Sequence, residues 1–339
     1  MDFNQAHHIY LSDLSNSLSK IKQLHIAKQR LTFSRWKVSE NLDKLLFEYE
    51  TNVKKTDGKV YWCPEKTKGI EVLNKHLENS QKVNFLNHIG VKHFLTETNY
   101  QTSVNNENAD TLVMDAKFII ANTGNFFTCF YSFDEYQQFL NAKKIIVIAG
   151  IDTLLSYQSE LPLSKMLYSL FETGKLSYPA EILSRPGMQK GFKKEIIILI
   201  TDLNKSKLLD HPTHRPLFSL LNFNLPSICP MEQFNYQPND WKQIDTLQYF
   251  LYPFIHDIQA FKSMFYENNG LRHISEFLPY DINLYEHVLK ARADIQLSEK
   301  KKKISFFSRP SLSKLPTNAK KFHTPSKFER FAKTYFFGE

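Results

Sequence analysis

The fold class is decided between residues 109 and 152, which include ADTLVMDAKFIIANTG (109–124), NFFTCFY (125–131) and KKIIVIAG (143–150). Two apolar runs flank the polar turn Asn122-Thr123-Gly124, and a third follows them. Near-continuous apolar runs with many β-branched residues are typical of strands that are buried on both faces. Such strands belong to a parallel sheet that is covered by helices, so this stretch predicts an α/β fold.

Strands and helices alternate through the middle of the chain. The pattern predicts a strand at Lys59–Cys63, a helix that starts at Pro64, a helix over Leu161–Phe171 that is capped by Gly174, and a strand at Glu195–Thr201. Proline suits the first position of a helix, and glycine suits the residue after its end. The alternation favours an open, mainly parallel sheet.

Further helices are predicted on both sides of this α/β region. Their spans are 11–31, 42–53, 247–265 and 282–289, because apolar residues recur there at helical spacing. Asp281 is the predicted N-cap of the last one. Within the α/β region, residues 83–91 are interpreted as helix and 93–96 as strand.

The positive charge of the chain belongs to its last forty residues. Residues 300–339 hold eleven Lys/Arg and two Glu, whereas the whole chain carries +8, so the first 299 residues sum to −1. A basic tail with aromatic residues can bind nucleic acid, an anionic membrane or an acidic partner. A solubilising or partner-docking tail that is disordered when alone is favoured, and nucleic-acid binding is not expected.

The chain is therefore divided into four parts. They are an N-terminal helical segment (1–39), an α/β domain (40–210), a Pro-rich and helical extension (211–299) and the basic tail (300–339). The cysteines are few and far apart, which favours a reducing compartment over a disulfide framework; they are Cys63, Cys129 and Cys229. No signal peptide and no apolar run of membrane-spanning length is apparent, so a cytoplasmic protein without a transmembrane segment is expected.

Several motifs of the chain resemble the LUD domain of lactate-utilisation proteins. Ala109–Gly124 has the spacing of the family's Ala-Asp and Ala-Glu/Asp-Thr-Gly, and Asp202–Ser206 is similar to its Asp-Asn-Gly-Arg-Ser. Ile145–Thr153 and Asn41–Leu77 resemble further segments, and Leu217–Pro230 aligns with the four-cysteine run of the iron–sulfur subunit. The resemblance covers roughly residues 40–230. It implies the open sheet that CoA transferases share with ribose-phosphate isomerase.

The iron–sulfur motif is degenerate in this chain. A ferredoxin-type cluster needs four thiolates at C-x2-C-x2-C-x3-C-P spacing. Those positions are here Ser219, Asn222, Leu225 and Cys229, so one of the four ligands remains. The sequence therefore predicts a protein without an iron–sulfur cluster or any other cofactor.

Two turns are the candidate ligand site. Asn122, Thr123 and Gly124 follow one predicted strand, and Asp202–Ser206 follows another, with Asp202, Asn204, Lys205 and Ser206 as its polar members. Ligands of open α/β sheets bind outside the carboxyl ends of the strands, so both turns are expected to converge on a small anion there. The alternative is purely structural: a tight turn that needs Gly124, and Asx-turn chemistry at Asp202.

A histidine pair is a weaker candidate. His211 and His214 lie three residues apart beside Asp210, at a spacing that suits a metal. The sequence around them shows no third ligand, and the segment is rich in proline, so a structural role is favoured.

The resemblance implies a function in the oxidation of lactate to pyruvate. Without cluster ligands the chain cannot carry electrons by itself, so the hypothesis is an accessory or non-catalytic subunit with protein partners in a cytoplasmic lactate-oxidation complex. The alternative is a stand-alone binding or regulatory protein for a small anion or a CoA-like ligand. Whether the chain is an enzyme stays open at this point.

Overall fold

The computed structural model describes residues 22–78, 80, 82–95, 109–189, 194–223, 246–255, 258–259, 275 and 278–305. Its strands are β1 Lys59–Cys63, β2 Val83–Phe85, β3 Thr111–Asp115, β4 Phe118–Ile120, β5 Asn125–Phe130, β6 Lys144–Gly150, β7 Leu154–Leu155, β8 Ala180–Ser184, β9 Gly187–Gln189 and β10 Lys194–Thr201. Its helices are α1 Lys22–Glu40, α2 Leu42–Lys54, α3 Lys66–Leu77, α4 Ile89–Leu95, α5 Phe133–Asn141, α6 Leu161–Thr173, α7 Thr246–Ile255 and α8 Leu284–Ser305.

The main sheet has five parallel strands in the order β1-β10-β6-β3-β2, and β9 pairs antiparallel with β10. Alternate residues of the central strands enter two separate cores. Val147 and Ile198 belong to the larger core, while Ile146 and Ile197 belong to a smaller core under α3 and α4. Both faces are thus buried, which confirms the predicted α/β fold and explains the near-continuous apolar runs.

A second, four-stranded sheet in the order β7-β4-β5-β8 corrects one prediction. The apolar run at 111–120 is two strands, because the chain leaves the parallel sheet at Ala116-Lys117 and continues as β4. Strands β4 and β5 then pair antiparallel, with Ile120 opposite Asn125. The segment Asn122–Gly124 is therefore a hairpin turn, and its expected place at the edge of the parallel sheet is wrong. An apolar run alone does not tell a parallel buried strand from an antiparallel one.

Smaller expectations are also corrected. The segment 83–95 is a short strand followed by a helix, the reverse of the predicted order. Helix α3 begins two residues after Pro64. The cap of α8 is Asn283, whose Oδ1 accepts a hydrogen bond from the Glu286 amide at 3.3 Å, so Asp281 is not the N-cap. Helix α8 continues through Lys300–Lys303 to Ser305, so the basic run begins as helix.

Helix α1 and the extension both pack on the α/β region. The larger core holds Leu31 and Val38 of α1 together with Ala291 and Ile295 of α8. Residues 1–21, Leu225, Cys229 and the tail beyond residue 305 lie outside the described ranges, and the four-part division stays a prediction. Within those ranges, no helix combines the length and apolarity that crossing a bilayer requires.

Arg35 connects α1 to the α/β region through two hydrogen bonds. Its guanidinium is 1% exposed and donates hydrogen bonds to the backbone carbonyls of Asp152 and Leu154. Those carbonyls follow β6, where the chain turns into the second sheet. One side chain of the N-terminal helix thus satisfies two buried acceptors of the α/β region.

We expect Arg35→Met to lower the free energy of unfolding by about 2–4 kcal/mol, because it leaves both carbonyls buried without a donor. Urea denaturation followed by circular dichroism measures the change. Arg30→Met on the exposed side of the same helix is the matched control, with an expected change within about 0.5 kcal/mol. An Arg35→Met midpoint equal to that of the control would contradict this role.

Candidate functional site

A crevice lies at the carboxyl edge of the parallel sheet, where β3, β6 and β10 end at Asp115, Gly150 and Thr201. We call it the edge crevice, and its polar lining also includes His88, Lys117, Tyr131, Thr153, Lys205 and Asn222. Its cavity has a volume of about 40 Å³. This is the position at which open α/β sheets bind ligands.

The turn after β10 delivers Lys205 to the edge crevice. Leu203 and Asn204 are both left-handed, with φ of 52° and 64°, and this reverses the chain directly after the strand. The carboxylate of Asp202 accepts hydrogen bonds from the Ser206 amide at 2.8 Å and from its hydroxyl at 2.5 Å. Asp202 and Ser206 therefore close the turn on each other, as the Asx-turn alternative predicts.

Lys205 pairs with a carboxylate that is fully buried. Its Nζ lies 2.6 Å from Oδ1 of Asp152, whose side chain is 0% exposed, whereas the Lys205 side chain keeps 17% exposure. Gly150 makes room for the pair, because a Cβ built there would lie 2.6 Å from Nζ and closer still to Oδ1. The second oxygen of Asp152 has no hydrogen-bond partner. Lys205 is thus both the partner of the buried Asp152 carboxylate and a lining residue of the edge crevice.

Lys117 occupies another part of the wall. Its ammonium pairs with Glu172, and both side chains are less than one tenth exposed. The Glu172 carboxylate also accepts a hydrogen bond from the Tyr178 hydroxyl at 2.6 Å. The Asn222 side chain donates to the carbonyl of Lys117 at 2.6 Å. Lys117 is therefore held in place by three segments of the chain.

His88 forms the third charged group of the crevice. Its Nδ1 donates to Oδ1 of Asp115 at 2.7 Å, and its Nε2 faces Glu135 at 3.5 Å. Burial alone would lower the pKa of His88, but the two carboxylates raise it to about 9. Burial likewise opposes ionisation of Asp115, yet the charge and hydrogen bond of His88 lower its pKa. His88 is thus a cation at neutral pH, which makes it unsuited to act as a base there.

The structure separates the two turns that the sequence placed together. Asn122, Thr123 and Gly124 lie in the second sheet, where the Asn122 side chain accepts a hydrogen bond from the Gln158 amide at 3.0 Å. Gly124 has a φ of 71°, and a Cβ there would come within 2.9 Å of the α2 backbone at Asn52. The turn therefore packs against a helix. Of the predicted residues, Lys205 lines the edge crevice, and a ligand role for the others stays a prediction.

Two of the positions that the sequence aligns with cluster ligands, Ser219 and Asn222, are described and make structural contacts. Ser219 is buried in the 3₁₀ helix Arg215–Asn222, and its carbonyl accepts a hydrogen bond from the Tyr168 hydroxyl at 3.4 Å. Asn222 holds the Lys117 backbone and lines the edge crevice. In the part of the chain that the structure describes, no three His, Cys, Asp or Glu side chains are gathered as a metal site.

The two described cysteines are buried free thiols. Burial raises the pKa of Cys63 to about 11, and it raises that of Cys129 further. Neither is a thiolate at neutral pH, so the inert interpretation of both fits their surroundings. Sequence reasoning missed His88, Lys117 and Asp152. Asp152 follows a buried strand, which is a usable signal, but His88 and Lys117 stand in no recognisable motif.

Comparisons with known proteins give little further guidance. No protein-family model and no curated protein matches the sequence. Among solved structures, the chain is similar to the crystal structure of a DUF162 family protein from Deinococcus radiodurans, DUF162 being the LUD-domain family. The similarity covers 47% of this chain and 98% of the other, at 11% identity and a TM-score of 0.34. A likeness this low carries no argument about function.

The raised pKa of His88 sets a pH dependence. Protonated His88 stabilises the fold fully below its unfolded pKa of about 6.5, and this contribution is lost as the pH rises through about 9. We expect His88→Gln to lower the free energy of unfolding at pH 6 by roughly 2–3 kcal/mol. The difference from the wild type should shrink between pH 7 and pH 10.

Urea denaturation at each pH measures this difference. His25→Gln, at an exposed position of α1, is the control and should follow the wild-type profile. A His88→Gln deficit that stays constant up to pH 10 would show that His88 contributes packing and no charge.

Proposed function

We propose that the chain is a binding protein for a small carboxylate, which it takes into the edge crevice through Lys205. The observation that carries this proposal is the charge balance around Lys205. Lys205 pairs with the carboxylate of Asp152, while Arg35 donates to the backbone carbonyl of the same residue, so two cations lie beside one carboxylate. A ligand anion beside Lys205 would supply the missing negative charge.

The size of the cavity supports a small ligand. A buried water needs about 10–15 Å³ of such volume, so a cavity of about 40 Å³ has room for roughly three waters. A carboxylic acid of three carbons has about twice as many non-hydrogen atoms, so it would fill the cavity and extend beyond it, whereas a CoA-sized molecule would have to lie mostly outside. Of the two ligand types expected from the sequence, the geometry favours the small anion.

The proposed role is binding without chemistry. His88 is locked as a cation between two carboxylates, and Lys117 is paired with Glu172, so the described crevice offers no free base. The resemblance to lactate-utilisation proteins makes lactate and pyruvate the first ligands to try. The same resemblance supports the proposal that the chain is a cytoplasmic accessory subunit, which binds the ligand and works with a redox-active partner protein.

A ligand panel tests the binding proposal. Isothermal titration should detect lactate or pyruvate, and Lys205→Met should weaken the affinity at least about tenfold by removing a charged hydrogen-bond donor. Lys207→Met, an exposed lysine on the same 3₁₀ turn, is the matched control and should bind like the wild type. Since Lys205→Met alone leaves Asp152 unpaired, Asp152→Asn with Lys205→Met keeps the fold comparable. Equal affinity in all variants would show that Lys205 does not contribute to ligand binding.

Gly150 provides an independent test, because a side chain at this position would push against the Lys205–Asp152 pair. A Cβ there would collide with both Asp152 and Lys205 and would displace the ion pair. We expect Gly150→Ala to lower ligand affinity at least about tenfold and to lower the melting temperature by several degrees. Thermal denaturation with and without ligand measures both effects. A variant that binds normally would show that the pair does not shape the site.

The accessory role needs a separate measurement. The tagged chain, purified from its own cells, should bring down a redox-active oxidoreductase, and lactate oxidation by that partner should fall when this chain is deleted. Strong ligand binding without such a partner would favour the stand-alone binding protein. Absence of both would contradict the whole proposal.

A further inference from the structure

Two histidines far apart in sequence meet beside the extension. His214 is 2% exposed on the turn before the 3₁₀ helix, and His287 lies on the first turn of α8. Their Nδ1 atoms are 3.3 Å apart. The His214 ring also packs 4.8 Å from the Phe254 ring of α7, centroid to centroid, which fixes its orientation. The contact joins the body of the fold to its last described helix.

The distance between the two nitrogens fits a shared metal ion. Zinc binds imidazole nitrogen at about 2.0–2.1 Å, so two ligands at the tetrahedral angle lie about 3.3–3.4 Å apart. A direct hydrogen bond from a ring N–H is usually 2.7–3.2 Å long. The observed separation of 3.3 Å thus fits a pair of metal ligands and is slightly longer than a usual hydrogen bond of this kind.

Two more side chains of types that can bind metal border the same place. His211 precedes His214 by one turn, and their rings lie 6.4 Å apart. Asp294 follows His287 by seven residues, which places it on the same face of α8 two turns later. Both line a cavity of about 210 Å³ together with His214. The cavity leaves room for these side chains to turn toward an ion.

We propose that His214 and His287 form the preformed half of a structural zinc site, which His211 and Asp294 complete when the ion binds. Three of these ligands are imidazoles, a donor set that zinc and neighbouring divalent transition metals prefer over calcium or magnesium. In the described structure the last two ligands are not yet in place, since no three such groups stand at metal distance. The site does not depend on the edge crevice or on its ligand.

Bound zinc would stabilise the packing of α8 against the rest of the described fold. One pair of ligands comes from the 211–214 turn and the other from α8, so the ion bridges segments that are more than seventy residues apart. A structural zinc site of this kind has four protein ligands and no open position. The chain segment that leads to the basic residues Lys300–Lys303 would then be anchored by metal.

Metal titration of the full chain, prepared without a polyhistidine tag, tests the site. After chelator treatment it should bind one zinc per chain and melt at a higher temperature, while magnesium and calcium leave the melting temperature unchanged. Cobalt in place of zinc should give the visible absorption of tetrahedral coordination. A chain that binds no zinc, or several zinc ions equally weakly, would overturn the proposal and leave a plain imidazole contact.

Variants locate the ion. His287→Gln and His214→Gln should each weaken zinc binding by about a hundredfold or more and abolish the melting shift, while His25→Gln on α1 should bind like the wild type. His211→Gln and Asp294→Asn keep the buried pair intact, so they test the site even where loss of the pair prevents folding. Each should cost about tenfold in affinity. Wild-type affinity in both would overturn the assignment of four ligands.

Discussion

The buried carboxylate of Asp152 is the point on which the architecture depends. It lies just after the central strand β6, and Lys205 from the end of the neighbouring strand neutralises it at 2.6 Å. The carbonyl of the same residue accepts from Arg35 of the N-terminal helix. A charge that is 0% exposed is tolerated only when such partners are present, so it fixes three segments relative to one another.

This constraint also explains why a polar crevice exists at the carboxyl edge of the sheet. The ion pair requires an open space beside Gly150, because a side chain at that position would occupy the place of the pair. Further along the edge, Lys117 and His88 are each compensated by carboxylates. The lining is thus charged yet almost balanced, and Arg35 adds a further cation on the backbone side of Asp152.

The segment that the sequence aligns with an iron–sulfur motif makes structural contacts in this fold. The Ser219 carbonyl accepts a hydrogen bond from the Tyr168 hydroxyl, while Asn222 donates to the Lys117 carbonyl and lines the edge crevice. Nearby, His214 also contacts a residue that is distant in the sequence, because its partner His287 lies on α8.

Local patterns in the amino-acid sequence are enough to predict the strands and the helix ends. The apolar runs at 145–149 and 196–200 predict strands buried on both faces, and Gly174 marks the end of its helix, because burial and capping act within a few residues. Three features become visible only in the folded chain: the change of sheet at Ala116-Lys117, the pairing of Lys205 with Asp152, and the contact of His214 with His287. Those contacts join positions that are distant in the chain, and no local pattern encodes which distant group will satisfy a buried charge or ring nitrogen.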